Sequence, residues 1–383
     1  MPSVPLLVVG AGPYGLAVAA RAIERGVDTV VVGHPMGFWK DHMPEGMFLR
    51  SGIDWHLDAS GVDTFETYVE DRGLCAADID PVPIDVFLDY AAWFQTRKHV
   101  TVRDQRVARL ERTDGWFVAR LDDGTQIAAD VVVAAPGAAY FRQFPEWAVR
   151  IPGDIGAHTC DLVRFHEMAG ARVMVVGGRQ SAYEWAALLA EHGAARVDVV
   201  HRHDVPRFER VSWKFVDRYL DATMSRRGWW RSLSAVEQGA IAQEFWEVGR
   251  LTLEWWLTPR LADQRIRPWP GAQVVDVVVG DNGAVAVTLS SGDRLMCDRI
   301  VFATGYKTDL PCVPYLSELG GPGGGLDVVD GSPVLDEAFQ SSVAGLYIVG
   351  FASTRDFGPF FGFTKGCPAA ATLIVDHLTG RTS

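Results

Sequence analysis

Three glycines set between two apolar runs constrain this chain more than any other feature. In PLLVVGAGPYGLAVAARAIERGVDTVVVG (residues 5–33) a strand pattern ends on Gly10, Gly12 and Gly15, an alanine-rich helix pattern follows, and TVVV reads as a second strand. The glycines have separate tasks: a tight turn, close backbone approach to a pyrophosphate, and close packing of helix on strand. Pro13, between the second and third glycines, is expected among the cofactor-binding residues with them. The helix start offers free N–H groups and partial positive charge to phosphates. Parallel strands joined by a helix imply a parallel sheet. An acidic residue is expected after the second strand to hold a ribose. Gly33 and His34 stand there instead, so the ribose falls to His34 or to backbone, or His34 is only a turn residue.

The chain repeats this statement. RVMVVGGRQSAYEWAALLAEHGAARVDVVHR (residues 172–202) gives strand, turn, helix and strand again, with Gly177 and Gly178 followed by Arg179 at the second-glycine position and Gln180 and Ser181 opening the helix. A guanidinium there costs close backbone approach but can pair directly with a phosphate. A modified nicotinamide site is therefore expected rather than a relic. Arg202, just after the second strand, suits the 2′-phosphate of NADPH; otherwise it is an exposed arginine.

Each unit is followed by a meander, residues 107–137 and 274–305, with turns at Asp114-Gly115, Asp123-Gly124, Asn282-Gly283 and Ser291-Gly292. These end in matching small-residue turns, Ala135-Pro136-Gly137 and Ala303-Thr304-Gly305. Residues 345–380 read again as strand, loop and helix. The expected fold class is α/β, with two Rossmann-like dinucleotide-binding domains carrying β-meanders and a Trp-rich helical insert. The first domain takes residues 1–155 and 298–383, and the second takes 156–297, including the insert at 207–261. Trp213, Trp229, Trp230, Trp246, Trp255 and Trp256 lie in that insert. They read either as core packed on the second lobe or as walls of a pocket for an aromatic or bulky substrate.

A formal charge of -12 argues against nucleic acid or an anionic membrane surface as partner. No apolar run reaches membrane-spanning length, and MPSVPLLVVGAG runs into the glycine loop without room for a signal peptide. Cys75, Cys160, Cys297, Cys312 and Cys367 are scattered without a C-x-x-C pair. Neither a disulfide framework nor a metal site is indicated, and a reduced cytoplasm is expected.

Four further stretches carry a family resemblance. FWKDHMPEGMFLRSGID (residues 38–54), IPGDIGAHTCDL (151–162), FATGYKTDLP (302–311) and GLYIVGF (345–351), in that order, resemble class B flavin monooxygenases: flavin-containing, Baeyer–Villiger and N-hydroxylating enzymes. The resemblance implies FAD on the first domain and NADPH on the second. NADPH would reduce FAD, and the reduced flavin would capture O2 as a C4a-(hydro)peroxide that oxygenates N, S or a carbonyl carbon of a small or medium-sized metabolite. It implies cofactor contacts from Gly137, Thr304, Gly305 and Gly350, and contact with the flavin ring from Trp39, Met47, Arg50 and Ser51. Arg50 would stabilise the anionic flavin or peroxide, or else be a surface or ion-pair arginine. His158 would be a domain-linker contact or a satisfied interdomain histidine.

The chain departs from the pattern at Phe351, where many relatives carry aspartate, and at Leu162, where they carry an aromatic residue. Expected partners are O2 and a small-molecule substrate of aromatic or apolar character, with a homo-oligomer left open. Two other readings stand beside this one: a flavoprotein reductase delivering electrons to an acceptor such as ferredoxin, and a non-catalytic flavin-binding sensor, which Arg179, Gly33 and Phe351 keep open.

Overall fold

A computed structural model describes residues 3–113, 115–281, 283–320 and 324–380. Asp114 and Asn282, which belong to two of the expected turns, lie outside the described residues. The first sheet runs in the order Val102–Arg103, Thr29–Val32, Val4–Val9, Gln126–Ala134, Trp116–Leu121, Val107–Thr113. Gln126–Ala134 is long enough to fork. Its first half pairs antiparallel with Trp116–Leu121, and its second half pairs parallel with Leu346–Ile348. Leu6, Leu7, Val8 and Val9 are all buried, as a parallel strand covered on both faces requires. Helix Pro13–Glu24 packs against the last helix, Cys367–Leu378, through small side chains that permit close approach.

The second sheet repeats the plan in the order Ile266–Trp269, Arg196–Val200, Arg172–Val176, Arg299–Phe302, Gly156–His158, every pair parallel. In both sheets the chain leaves the central strand in one direction and returns on its other side, creating a topological switch point beside each glycine turn. The meander Val274–Val279, Val285–Leu289, Arg294–Cys297 leads into Arg299–Phe302. That strand pairs with Arg172–Val176, just as Gln126–Ala134 pairs with Val4–Val9. The expected return to the first domain at residue 298 is therefore corrected: the exit strand stays with its own lobe, and the chain rejoins the first sheet at Leu346–Ile348.

The insert also differs from expectation. A parallel pair, Arg207–Phe208 with Thr252–Leu253, closes its neck. Helix Ala235–Glu244 is started by a capping box, with Ser234 and Glu237 each satisfying the other's backbone N–H. Trp213, Val216, Tyr219, Leu220, Trp230 and Phe245 join the core of the first lobe, while Leu253, Trp256 and Leu257, flanked by Phe208 and Leu261, join the second. The aromatic loop of the first lobe attracts them: Tyr219 stacks on Phe360 at 5.7 Å and Trp213 meets Phe363 at 5.8 Å. The insert thus bridges the lobes rather than packing on the second alone. Among the described residues, no helix is long and apolar enough to cross a membrane.

Candidate functional site

Gly10 has φ 110°, and a Cβ there would lie 2.2 Å from the Ala135 carbonyl oxygen. A Cβ on Gly15 would lie 1.8 Å from the Gly10 oxygen. Those two glycines are demanded by the protein's own packing. Gly12 is different: its Cβ would meet nothing within 4 Å. The turn is therefore built closed on one side and open on the other. Gly12 caps the helix without a side-chain hydrogen bond, and Pro13 follows, leaving the first N–H groups aimed at open space. Tyr14 was missed in the sequence. Its hydroxyl donates to the Phe361 and Phe363 carbonyls at 2.6 and 2.8 Å, and a Gly350 Cβ would come within 3.4 Å of its ring. It ties the C-terminal loop to the glycine turn. Gly137 (φ 74°) is open as well.

The absent ribose carboxylate has a structural reason. A Cβ on Gly33 would stand 2.7 Å from the Ala11 nitrogen, so no side chain fits. A carboxylate arrives from the neighbouring edge strand instead, with Asp104 Oδ1 3.0 Å from His34 Nδ1. Trp39 packs edge-on against Phe87 at 4.8 Å. Met47 touches the cores of both lobes.

Arg50 is an ion-pair arginine. Its Nε donates to Glu254 Oε1 at 3.0 Å and a terminal nitrogen donates to the Thr252 carbonyl at 2.8 Å, with the guanidinium 5.1 Å from the Trp213 ring centre. Arg50 and Ser51 form one wall of a cavity of about 520 Å³, with Trp55, Trp213, Glu254 and Trp256 around it. Phe351 stacks on Phe141 at 6.0 Å, and its carbonyl accepts from Thr354 at 3.0 Å. Asp356 accepts from the Leu335 N–H at 2.8 Å, which commits it to the loop behind.

The second turn copies the first where packing demands it. Gly177 has φ 136°, with a Cβ that would lie 2.4 Å from the Ala303 oxygen, and buried Ala182 takes the third-glycine position. A Gly178 Cβ would stand 2.4 Å from the His201 ring. Arg179 occupies the open position in extended backbone and caps helix Gln180–Glu191. Its guanidinium lies 3.2 Å from the Trp246 ring centre, and one terminal nitrogen is buried without a partner. Burial, then the charges of Arg250 and Arg202, pull it down to about 10.

Gln180 is engaged by the insert, accepting from the Glu254 N–H and donating to Glu184, both at 3.0 Å. Ser181 and Arg202 are exposed. Thr304 donates to the Gln143 carbonyl. Buried His158 donates from Nε2 to the Gly305 carbonyl at 3.1 Å. Burial lowers its pKa to about 4, so it is a neutral, satisfied interdomain histidine. His42, Cys160 and Asp161 converge within 4.8 Å, but Asp161 pairs with Arg142 and His42 with the Cys160 carbonyl.

Two sheets, each with a parallel core, a glycine turn at its switch point and a small-residue turn beside it, define a protein with two dinucleotide cradles. The chain belongs to the pyridine nucleotide-disulphide oxidoreductase family, whose model matches residues 7–216. An FAD-dependent urate hydroxylase of Xanthomonas campestris is 23% identical over 78% of this chain and 68% of its own. A probable indole-3-pyruvate monooxygenase of Arabidopsis thaliana is 27% identical over 90% and 83% respectively. A ferredoxin–NADP reductase of Nocardioides is 32% identical, but over only 52% of this chain and 55% of its own. Among solved structures, the ornithine N-hydroxylase of Kutzneria superposes with a TM-score of 0.82 at 16% identity, covering 100% of both chains. The fold is thus the one used by that N-hydroxylase.

Proposed function

We propose that this chain is an FAD- and NADPH-dependent monooxygenase that places one oxygen atom from O2 on N, S or a carbonyl carbon of a small-molecule substrate. The reading is carried by one observation. The two cradles are built alike on their closed sides, at Gly10 beside Ala135 and Gly177 beside Ala303, and the open position holds glycine in one and arginine in the other.

The first cradle suits the pyrophosphate of FAD, because open space at Gly12 coincides with the uncapped N–H groups of the helix start around Pro13, which itself has none to offer. Gly10, Gly15, Gly137 and Gly350 would shape its backbone, with His34 and Asp104 near the ribose. Arg179, with a buried unpaired N–H, supports a phosphate of NADPH at the second cradle, with Gly177, Gly178, Gln180, Ser181, Arg202, Thr304 and Gly305 around it. FAD, when bound, would accept hydride and activate oxygen; the protein's work is positioning and exclusion of water. Arg50, held by Glu254, and Ser51 would face the reacting end from the insert's cavity, and Trp39, Met47 and Phe351 would close it. The family relation over most of the chain to an FAD-dependent hydroxylase and to a monooxygenase supports this reading.

A second reading, an electron-delivering reductase, draws on the Nocardioides relative. The net charge of -12 does not favour docking of an acidic partner. NADPH oxidation coupled stoichiometrically to ferredoxin reduction, with no oxygenated product from any small molecule, would replace the first reading with the second. The scattered cysteines suit a reducing cytoplasm.

A further inference from the structure

The last turn of the insert before its neck is a π-helix, Phe245–Arg250. Such turns are rare and are found often at functional sites. This one distributes its side chains between the lobes. Phe245 enters the core, Trp246 covers Arg179, and Gly249 lies so close under Trp213 that a Cβ would meet its ring at 2.4 Å. Arg250 is pressed between aromatic rings, 5.9 Å from Phe245 and 5.1 Å from Phe363.

The arginines of this region divide into two kinds. Arg50 has Glu254, and Arg260 has Glu184 and Glu191. Arg250 has none: among the described residues no carboxylate pairs with it, its Nε is out of contact with solvent, and that atom has no hydrogen-bond partner. Its charged neighbours are arginines, Arg50 and Arg179. A second orphan stands against the same rings. Trp213, 5.7 Å from Phe245 and 5.8 Å from Phe363, has a buried Nε1–H with nothing to donate to. Native interiors do not keep an enclosed arginine Nε–H and an enclosed indole N–H unpaired without cause, because each loses its water and gains nothing in return. Cation–π contact offsets part of that loss for Arg250, but leaves both N–H groups unpaired.

We infer that Arg250 and Trp213 form a carboxylate-binding subsite for the substrate, with Phe245 and Phe363 as the walls around its apolar body. The dinucleotide's phosphates are the other source of an anion, and the geometry favours the substrate. Arg250 and Trp213 rest on the aromatic loop of the first lobe, whereas the unpaired arginine of the nicotinamide turn is Arg179. Calling the bound carboxylate a substrate rests on the monooxygenase reading; its binding does not.

The test uses the full-length FAD-loaded protein, oxidised and without NADPH, so that neither reduction nor oxygenation is needed for a result. Phenylacetate, its neutral counterpart phenylacetamide, and NADP+ are titrated separately while tryptophan fluorescence and flavin absorbance are followed. Phenylacetate is expected to bind saturably and at least about tenfold more tightly than the amide. Arg250→Met is expected to remove that preference and leave NADP+ affinity unchanged, and Arg250→Lys to retain part of it. Because the methionine variant loses an uncompensated charge, its melting temperature is expected to equal or exceed that of the wild type. Trp213→Phe, which keeps the ring and deletes the N–H, is expected to weaken phenylacetate alone and provides a second route should Arg250→Met fail to fold. Equal binding of acid and amide, or no saturable binding of phenylacetate, would overturn the inference. Loss of NADP+ affinity in Arg250→Met with phenylacetate unaffected would overturn it too, by giving the anion to the dinucleotide.

Discussion

Arg179 stacks on Trp246 with its guanidinium 3.2 Å from the ring centre, so the helical insert lies directly over the cradle position where arginine replaces the second glycine. If that arginine replaces backbone contact with a phosphate contact, Arg179→Gly lowers NADPH affinity by roughly tenfold and Arg179→Lys recovers part of it. Stopped-flow flavin reduction at varied NADPH measures this. Tighter binding in the glycine variant would mean that the arginine obstructs the site.

The first cradle separates packing glycines from the cofactor glycine. Gly12→Ala adds a methyl group that meets no protein atom, so the apoprotein should melt normally while FAD binds about tenfold more weakly. Gly15→Ala drives its methyl group into the Gly10 carbonyl and should cost at least about 2 kcal/mol of stability. Flavin retention and apoprotein melting, measured on both variants, distinguish the two effects.

Buried His158 gives the protein an acid limit. Its pKa falls from 6.5 to about 4 in the folded state because burial disfavours the charged ring. The unfolded chain therefore takes up this proton first. The contribution, roughly 3 kcal/mol, is fully present above about pH 6.5 and is lost as pH falls toward about 4. Denaturant titrations between those values should show the loss, and His158→Gln should flatten the slope.

Lys98 anchors the first lobe from below. Its ammonium lies 2.6, 2.9 and 3.0 Å from Glu24, Asp58 and Asp63, with Asp58 almost fully enclosed. Lys98→Met leaves enclosed Asp58 without a counterion, while Asp63 keeps Arg97 at 3.0 Å, and should destabilise the protein by about 3 kcal/mol. Urea denaturation monitored by tryptophan fluorescence checks the figure.

The glycine turns were legible in the sequence because their constraint is local: strand, turn and helix must follow one another, and only glycine fits where Gly10 and Gly177 meet the Ala135 and Ala303 carbonyls. What went unread depends on distant pairing. The boundary at 298 failed because an apolar strand does not announce which sheet it enters, and Arg299–Phe302 joined its own lobe. His34 has its carboxylate partner 70 residues away at Asp104. The tryptophans of the insert marked it as packed, but the rings that receive them, Phe360 and Phe363, lie more than a hundred residues on. Arg50 stands in a legible stretch, but Glu254, which holds it, lies on the insert. Arg250 carries no sequence signal, since only the fold shows that its Nε is enclosed without a partner.

In the proposed reaction, electrons from NADPH pass through bound flavin to O2 and one oxygen atom reaches a small molecule. Anaerobic mixing of the FAD-loaded protein with NADPH, followed by admission of ¹⁸O-labelled O2 with a panel of amines, thioethers and ketones, tests it directly. The flavin should bleach before oxygen enters, and one ¹⁸O atom should appear in a product afterwards. A flavin that neither NADPH nor NADH bleaches would contradict it, and so would bleaching followed by reoxidation with no ¹⁸O in any product.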